Sequence, residues 1–332
     1  MPGEQIQKEL VKINSLLRSK DFSFEMAKEL NAAHDGSRYQ EFITPSENTA
    51  IINKTAREEK IATNLAGFYA MECGVGLLCE QTKLTPAEWL KKIAGKTADS
   101  NAVLLLNRFA NATWKASQPF RSLNRITRYN FTGAGYLSAE EIEKDHNQIT
   151  SAASFLLEYM QQVDKSSLSE QMEQLEILVQ DTAFAFTIAK FLHSSHYLSQ
   201  HQQVPLFITE VDDTAIIQKS VREQKIATSI AGFYALECGI NYLVTAKGMV
   251  PSDILKSIGN NSINEDDKTL LLHFVNATWK AGQPFIGIDR ITSETFTPVY
   301  FLTKEDIEKD LVQIQTAARK LLYAIEEVEH KK

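Results

Sequence analysis

The stretch KIATNLAGFYAMECG at residues 60–74 returns as KIATSIAGFYALECG at residues 225–239, with 12 of 15 positions identical. Agreement of that density within one chain is the signature of an internal repeat, which decides architecture before any single helix does. The offset between the two stretches, 60 to 225, is 165 residues, and it holds further on. NATWKASQPF (Asn111 to Phe120) pairs with NATWKAGQPF (Asn276 to Phe285), and Arg125-Ile126-Thr127 pairs with Arg290-Ile291-Thr292. Ile142-Glu143-Lys144-Asp145 pairs with Ile307-Glu308-Lys309-Asp310 at the same distance. The parts before Phe42 and Phe207 match only weakly. The expected organisation is a tandem duplication: residues 1–165 form one helical repeat and residues 166–332 a second.

Each repeat reads as about five helices. Within the first, helices are expected at roughly residues 4–34, 48–81, 85 onward, 99–118 and 138–163. The third has a clear start signal. Thr85 is placed to cap, Pro86 occupies the first helical position, and Glu88 follows three residues after the cap. Ser138 with Glu141, and Ser167 with Glu170, carry the same capping pattern, the latter marking the start of the second repeat. Pro119 ends the fourth helix, and residues 119–137 read as irregular, with Gly133 and Gly135. The fold class is all-α: two antiparallel bundles packed about an approximate two-fold axis, imitating a homodimer in one chain.

Composition fits a folded globular protein, with 43% apolar and 23% charged residues. The net charge of −7 argues against a broad nucleic-acid surface, which needs clustered Lys and Arg. The apolar run from Leu65 to Leu78 is broken by Glu72 and is too short to span a bilayer. Three cysteines, Cys73, Cys79 and Cys238, are too few and too odd for a disulfide framework, so the chain is read as cytoplasmic. No membrane or nucleic-acid partner is expected, and the chain reads as a monomer.

The second helix sets one carboxylate into an apolar stripe. Ile61, Leu65, Phe68, Glu72, Val75 and Cys79 follow helical spacing, and Ile226, Ile230, Phe233, Glu237, Ile240 and Val244 repeat it. A carboxylate so placed needs a cation or hydrogen-bond donors, or its pKa rises. Glu72 is therefore expected to pair with Lys115 or Arg125, and Glu237 with Lys280 or Arg290. Beside the stripe run the small residues Ala62, Ala66, Ala70 and Gly74, repeated as Ala227, Ala231, Ala235 and Gly239. They allow close helix approach, either within a repeat or between repeats.

On the fourth helix Asn111, Trp114, Lys115 and Gln118 share a face, as do Asn276, Trp279, Lys280 and Gln283. Two readings follow. In the first, tryptophan packs in the core while the polar groups tie down the following loop. In the second, each repeat holds a pocket for a small polar or anionic ligand, or one pocket lies at their junction. In the first repeat it would be lined by Tyr69, Glu72, Asn111, Trp114, Lys115, Gln118 and Arg125. In the second it would be lined by Tyr234, Glu237, Asn276, Trp279, Lys280, Gln283 and Arg290.

Metal and cofactor signals are weak. Glu143 and His146 fit half of a di-iron pattern, but Leu311 replaces the histidine in the second copy. His193, His196 and His201 cluster in the first helix of the second repeat, and only His196 has a counterpart, His34, in the first. No nucleophile elbow, phosphate loop, dinucleotide fingerprint or zinc spacing occurs. Cys73 and Cys238 lie among apolar residues and read as buried structural thiols. The preferred functional reading is a non-enzymatic binding or scaffold protein with a protein partner. The alternatives are a small-molecule binder, or an enzyme using Glu72 or Glu237 with Lys115 or Lys280 for acid–base chemistry.

Overall fold

The computed structural model describes residues 2–19, 21–22, 70–117, 139–160, 167–181, 184, 235–282 and 311–330. Among these residues the fold is all-α, with no strand. In chain order the helices are α1 (Pro2–Arg18), α2 (70–82), α3 (Pro86–Ala94), α4 (Ser100–Ser117), α5 (Ala139–Met160) and α6 (Leu168–Gln180). They continue with α7 (235–247), α8 (Pro251–Gly259), α9 (Glu265–Gly282) and α10 (Leu311–His330). The described bounds of α2, α3 and α4 recur 165 residues later as those of α7, α8 and α9.

Local chemistry explains where the helices start. The Thr85 hydroxyl accepts from the Glu88 backbone N–H at 3.3 Å, and the Glu88 carboxylate accepts from Thr85 N–H at 2.8 Å. This is the reciprocal capping box expected there, with Pro86 at the first turn. Those bonds to Thr85 hold the Glu88 carboxyl below its ordinary range. Ser167 and Glu170 form the same box at the start of α6. α4 is capped by Asp99, whose carboxylate accepts from Ala102 N–H at 2.9 Å. Asn264 does the same for α9, accepting from Asp267 N–H at 2.9 Å. The capping box expected at Ser138 lies outside the described residues, as do the expected helical stretches 23–34 and 48–69.

The connections are equally specific. Lys83 and Gly248, which follow α2 and α7 at the 165-residue offset, both take left-handed backbone, with φ of 63° and 66°. Lys96 and Asn261, just past α3 and α8, do so again at 53° and 56°. Glycine and asparagine adopt this region with little strain, lysine less readily.

Packing joins the two halves. α4 lies along α9, while α3 packs on α5 and α8 packs on α10. α6 packs on α3 and α5 of the first half, although it follows residue 166. α1 packs on α8 and α10 of the second half. Each half's leading helix thus covers the other half. One cluster of buried apolar side chains runs through both halves and includes Ile13, Leu106, Phe109, Ala153, Leu175, Leu271, Phe274 and Leu321.

At Gly74 and Gly239 the small-residue face makes its contact within a half; Ala62, Ala66, Ala227 and Ala231 lie outside the described residues. A Cβ on Gly74 would meet Leu106 Cδ2 of α4 at 2.7 Å, and one on Gly239 would meet Leu271 Cδ2 of α9 at 2.6 Å. Glycine at these points lets α2 sit against α4, and α7 against α9, closer than any side chain would allow.

Candidate functional site

Four of the candidate residues, Glu72, Asn111, Glu237 and Asn276, are described, and they are linked across the seam between α4 and α9. Glu72 and Glu237 are 7% and 4% exposed, and each has a cysteine immediately after it in the helix. The Cys73 thiol donates to Glu72 Oε2 at 3.2 Å, and the Cys238 thiol donates to Glu237 Oε2 at 3.2 Å. Each sulfur in turn accepts from an asparagine of the opposite half. Asn111 Nδ2 donates to Cys238 Sγ at 3.7 Å, and Asn276 Nδ2 donates to Cys73 Sγ at 3.7 Å. The result is two reciprocal chains, Asn111–Cys238–Glu237 and Asn276–Cys73–Glu72, each crossing the seam once. Thiol hydrogen bonds are weak individually. Their value here lies in satisfying buried polar atoms that would otherwise cost free energy.

The two halves differ in detail. Glu237 gains a further donor, because Asn241 Nδ2 reaches its Oε1 at 3.0 Å. The first half has Gly76 at the matching position. On the other side, His273 of α9 reaches α2. Its Nδ1 lies 3.1 Å from the Cys73 carbonyl oxygen, and its Nε2 lies 3.3 Å from Glu80 Oε2. The first half carries Arg108 at the histidine's position. Both asparagine carbonyl oxygens, Asn111 Oδ1 and Asn276 Oδ1, are buried and accept no hydrogen bond among the described residues.

No protein family, curated protein or solved structure matches this chain. The reading of the seam therefore rests on its own geometry.

That geometry brings together Glu72, Asn276, Glu237 and Asn111, and it does so across the halves. Trp114, Lys115, Trp279 and Lys280 belong to α4 and α9, but their side chains lie outside the described residues. Tyr69, Gln118, Arg125, Tyr234, Gln283 and Arg290 also lie outside them, and with them the expected carboxylate–cation pairs. Among the described residues no group of three His, Cys, Asp or Glu could hold a metal ion. His193, His196 and His201 fall outside that set. No described helix is long and apolar enough to cross a membrane.

Cys73 and Cys238 are buried, as expected, but they act as polar links and not only as apolar filler. The available signal was their recurrence directly after a carboxylate that needed donors. The third cysteine, Cys79, fits the inert description: burial, with Glu80 and Glu88 nearby, pushes its thiol up to about 12. None of the three forms a disulfide.

Proposed function

We propose that this chain is a non-enzymatic binding or scaffold protein, built as two tandem repeats, residues 1–165 and 166–332, that form an internal pseudo-dimer. The observation that carries this reading is the reciprocity of the polar links. Asn111 serves Cys238 and Asn276 serves Cys73, as an isologous interface between two equal partners requires. The repeated polar groups are thus engaged in joining the halves. The proposed role is to present the outer helix faces, held in fixed relation, to a protein partner. The three unbridged thiols suit a cytoplasmic setting.

A second reading is supported by one observation. The two asparagine oxygens without a partner are the kind of buried polar atom that a native protein ordinarily satisfies. A small ligand with hydrogen-bond donors would satisfy them, and it would sit at the junction of the halves. The acid–base alternative asks for an opening beside a carboxylate, whereas Glu72 and Glu237 are more than nine-tenths buried and already accept hydrogen bonds.

Native mass spectrometry combined with melting curves separates the first two readings. The scaffold reading predicts the mass of the bare chain and a lower melting temperature for Glu72→Ala, reflecting a stability loss of about 3–5 kcal/mol if a buried pair is broken. A small-molecule adduct that Asn111→Ala or Asn276→Ala removes without loss of melting temperature would replace it with the ligand reading.

A further inference from the structure

Helix α1 fills the groove between α8 and α10. Ile13 is fully buried there, with Ile6, Leu10 and Leu16 packed on the same core. At the centre of this face is a charged residue, Glu9, only 5% exposed. Its Oε2 accepts from the Ser252 backbone N–H at 2.9 Å, and its Oε1 accepts from the Ser252 hydroxyl at 3.2 Å and from Gln5 Nε2 at 3.0 Å. Ser252 lies in the first turn of α8, whose cap residue, Val250, offers no side-chain hydrogen bond. α1 therefore supplies both the apolar cover and the missing anionic cap of a helix 243 positions away.

The equivalent groove, between α3 and α5, is closed by a helix nearer in sequence. Ala87 of α3 occupies the position equivalent to Ser252, and its backbone N–H donates to Gln171 of α6 at 3.1 Å. But α6 follows α5, one wall of its own groove, after only residues 161–167. Moreover α3 carries its own capping box. Both grooves are closed by the leading helix of the opposite half, but α6 is a near neighbour of its groove in sequence, whereas α1 is far from α8 and α10.

Connectivity makes α1 the costlier helix to seat. Loop-closure entropy grows with the number of residues enclosed, and the most non-local contacts are made late in folding. Whenever α1 is undocked, α8 has an open apolar groove beside an uncapped N-terminus. The α1 of a second molecule satisfies both with the same contacts. We propose that α1 is an exchangeable arm and that its alternative partner is a second copy of this chain. Two molecules trade α1 helices and close as a symmetric dimer, without any new interface having to evolve. The monomer prevails while the tethered α1 outcompetes free chains. The dimer grows as chain concentration approaches the effective concentration of the tether, on the order of millimolar.

Isotope-mixed cross-linking of the full chain tests this. Unlabelled and nitrogen-15 chains are mixed, concentrated, incubated and treated with an amine cross-linker that joins Lys8 or Lys12 of α1 to Lys256 of α8. The dimer fraction is isolated and digested. The expected result is a dimer whose amount rises with concentration and in which about half of the α1–α8 cross-links join a light to a heavy peptide, as random exchange between two copies requires. Two results overturn the proposal: no dimer up to millimolar chain, or a dimer whose α1–α8 cross-links all lie within one isotope.

Discussion

Phe109 of α4 and Phe274 of α9 stack face to face, with ring centroids 3.9 Å apart and planes inclined by 11°. They stand 165 residues apart, the offset at which the two sequence stretches recur, so each ring meets the residue at the equivalent position of the other half. In an isologous arrangement a residue contacts its equivalent only where the two-fold axis passes. The stack therefore marks the axis of the proposed pseudo-dimer, and the Asn–Cys–Glu chains belong to the same α4–α9 seam. Both rings are fully buried.

The glycines that seat α2 and α7 give a first prediction. Alanine is the better helix former by about 1 kcal/mol. At Gly74, however, the added methyl would lie 2.7 Å from Leu106 Cδ2 and 3.4 Å from Phe109 Cδ2. Overpacking of this kind costs about 1–3 kcal/mol. Gly74→Ala and Gly239→Ala are each expected to lower stability by about 1 kcal/mol net, read from urea midpoints. A stabilised variant would mean that the leucines yield freely.

Glu9 gives a second. Glu9→Ala strips the acceptor from two Ser252 donors and the negative charge from the start of α8. The expected loss is about 1–3 kcal/mol. Glu9→Gln keeps an acceptor oxygen and should cost less. No loss in either variant would show that the bonds from Ser252 to Glu9 do not hold α1 in place.

A third concerns alkaline pH. In the folded chain Cys79 holds its proton up to about 12, against an ordinary value of 9.0. Below pH 9 both states keep the proton and stability is unaffected. Between pH 9 and about 12 the unfolded chain releases it and the folded chain does not, so stability falls as pH rises, by at most about 1.4 kcal/mol per unit. The second copy has Val244 at this position. Cys79→Val is thus expected to be within about 1.5 kcal/mol of the parent at pH 7. It should also lose stability less steeply above pH 9. Parallel pH curves for the two proteins would contradict the assignment.

Much of the helical layout was legible. Thr85 with Glu88, and Ser167 with Glu170, announce their helices because a capping box is written in four consecutive residues. The 165-residue offset likewise anticipates the left-handed turn at Lys83, since its counterpart is Gly248. The partners of the candidate polar residues were not legible. Spacing places Asn111 and Glu72 each on a helix face, but it does not say which helix arrives opposite. Here that helix comes from the other half, so Asn111 serves Cys238. The docking of α1 escaped for the same reason. Its apolar stripe does not say which groove it enters, although Val250 leaves α8 without a side-chain cap where Thr85 caps α3.

The most direct test of the pseudo-dimer is a double-mutant cycle on Phe109 and Phe274, followed by equilibrium unfolding of the full chain. One cooperative transition is expected, with a loss of about 3–5 kcal/mol for each single alanine variant and a coupling of about 0.5–1.5 kcal/mol between them. Two separate transitions, with Phe109→Ala moving only one of them and no coupling to Phe274→Ala, would contradict the pseudo-dimer.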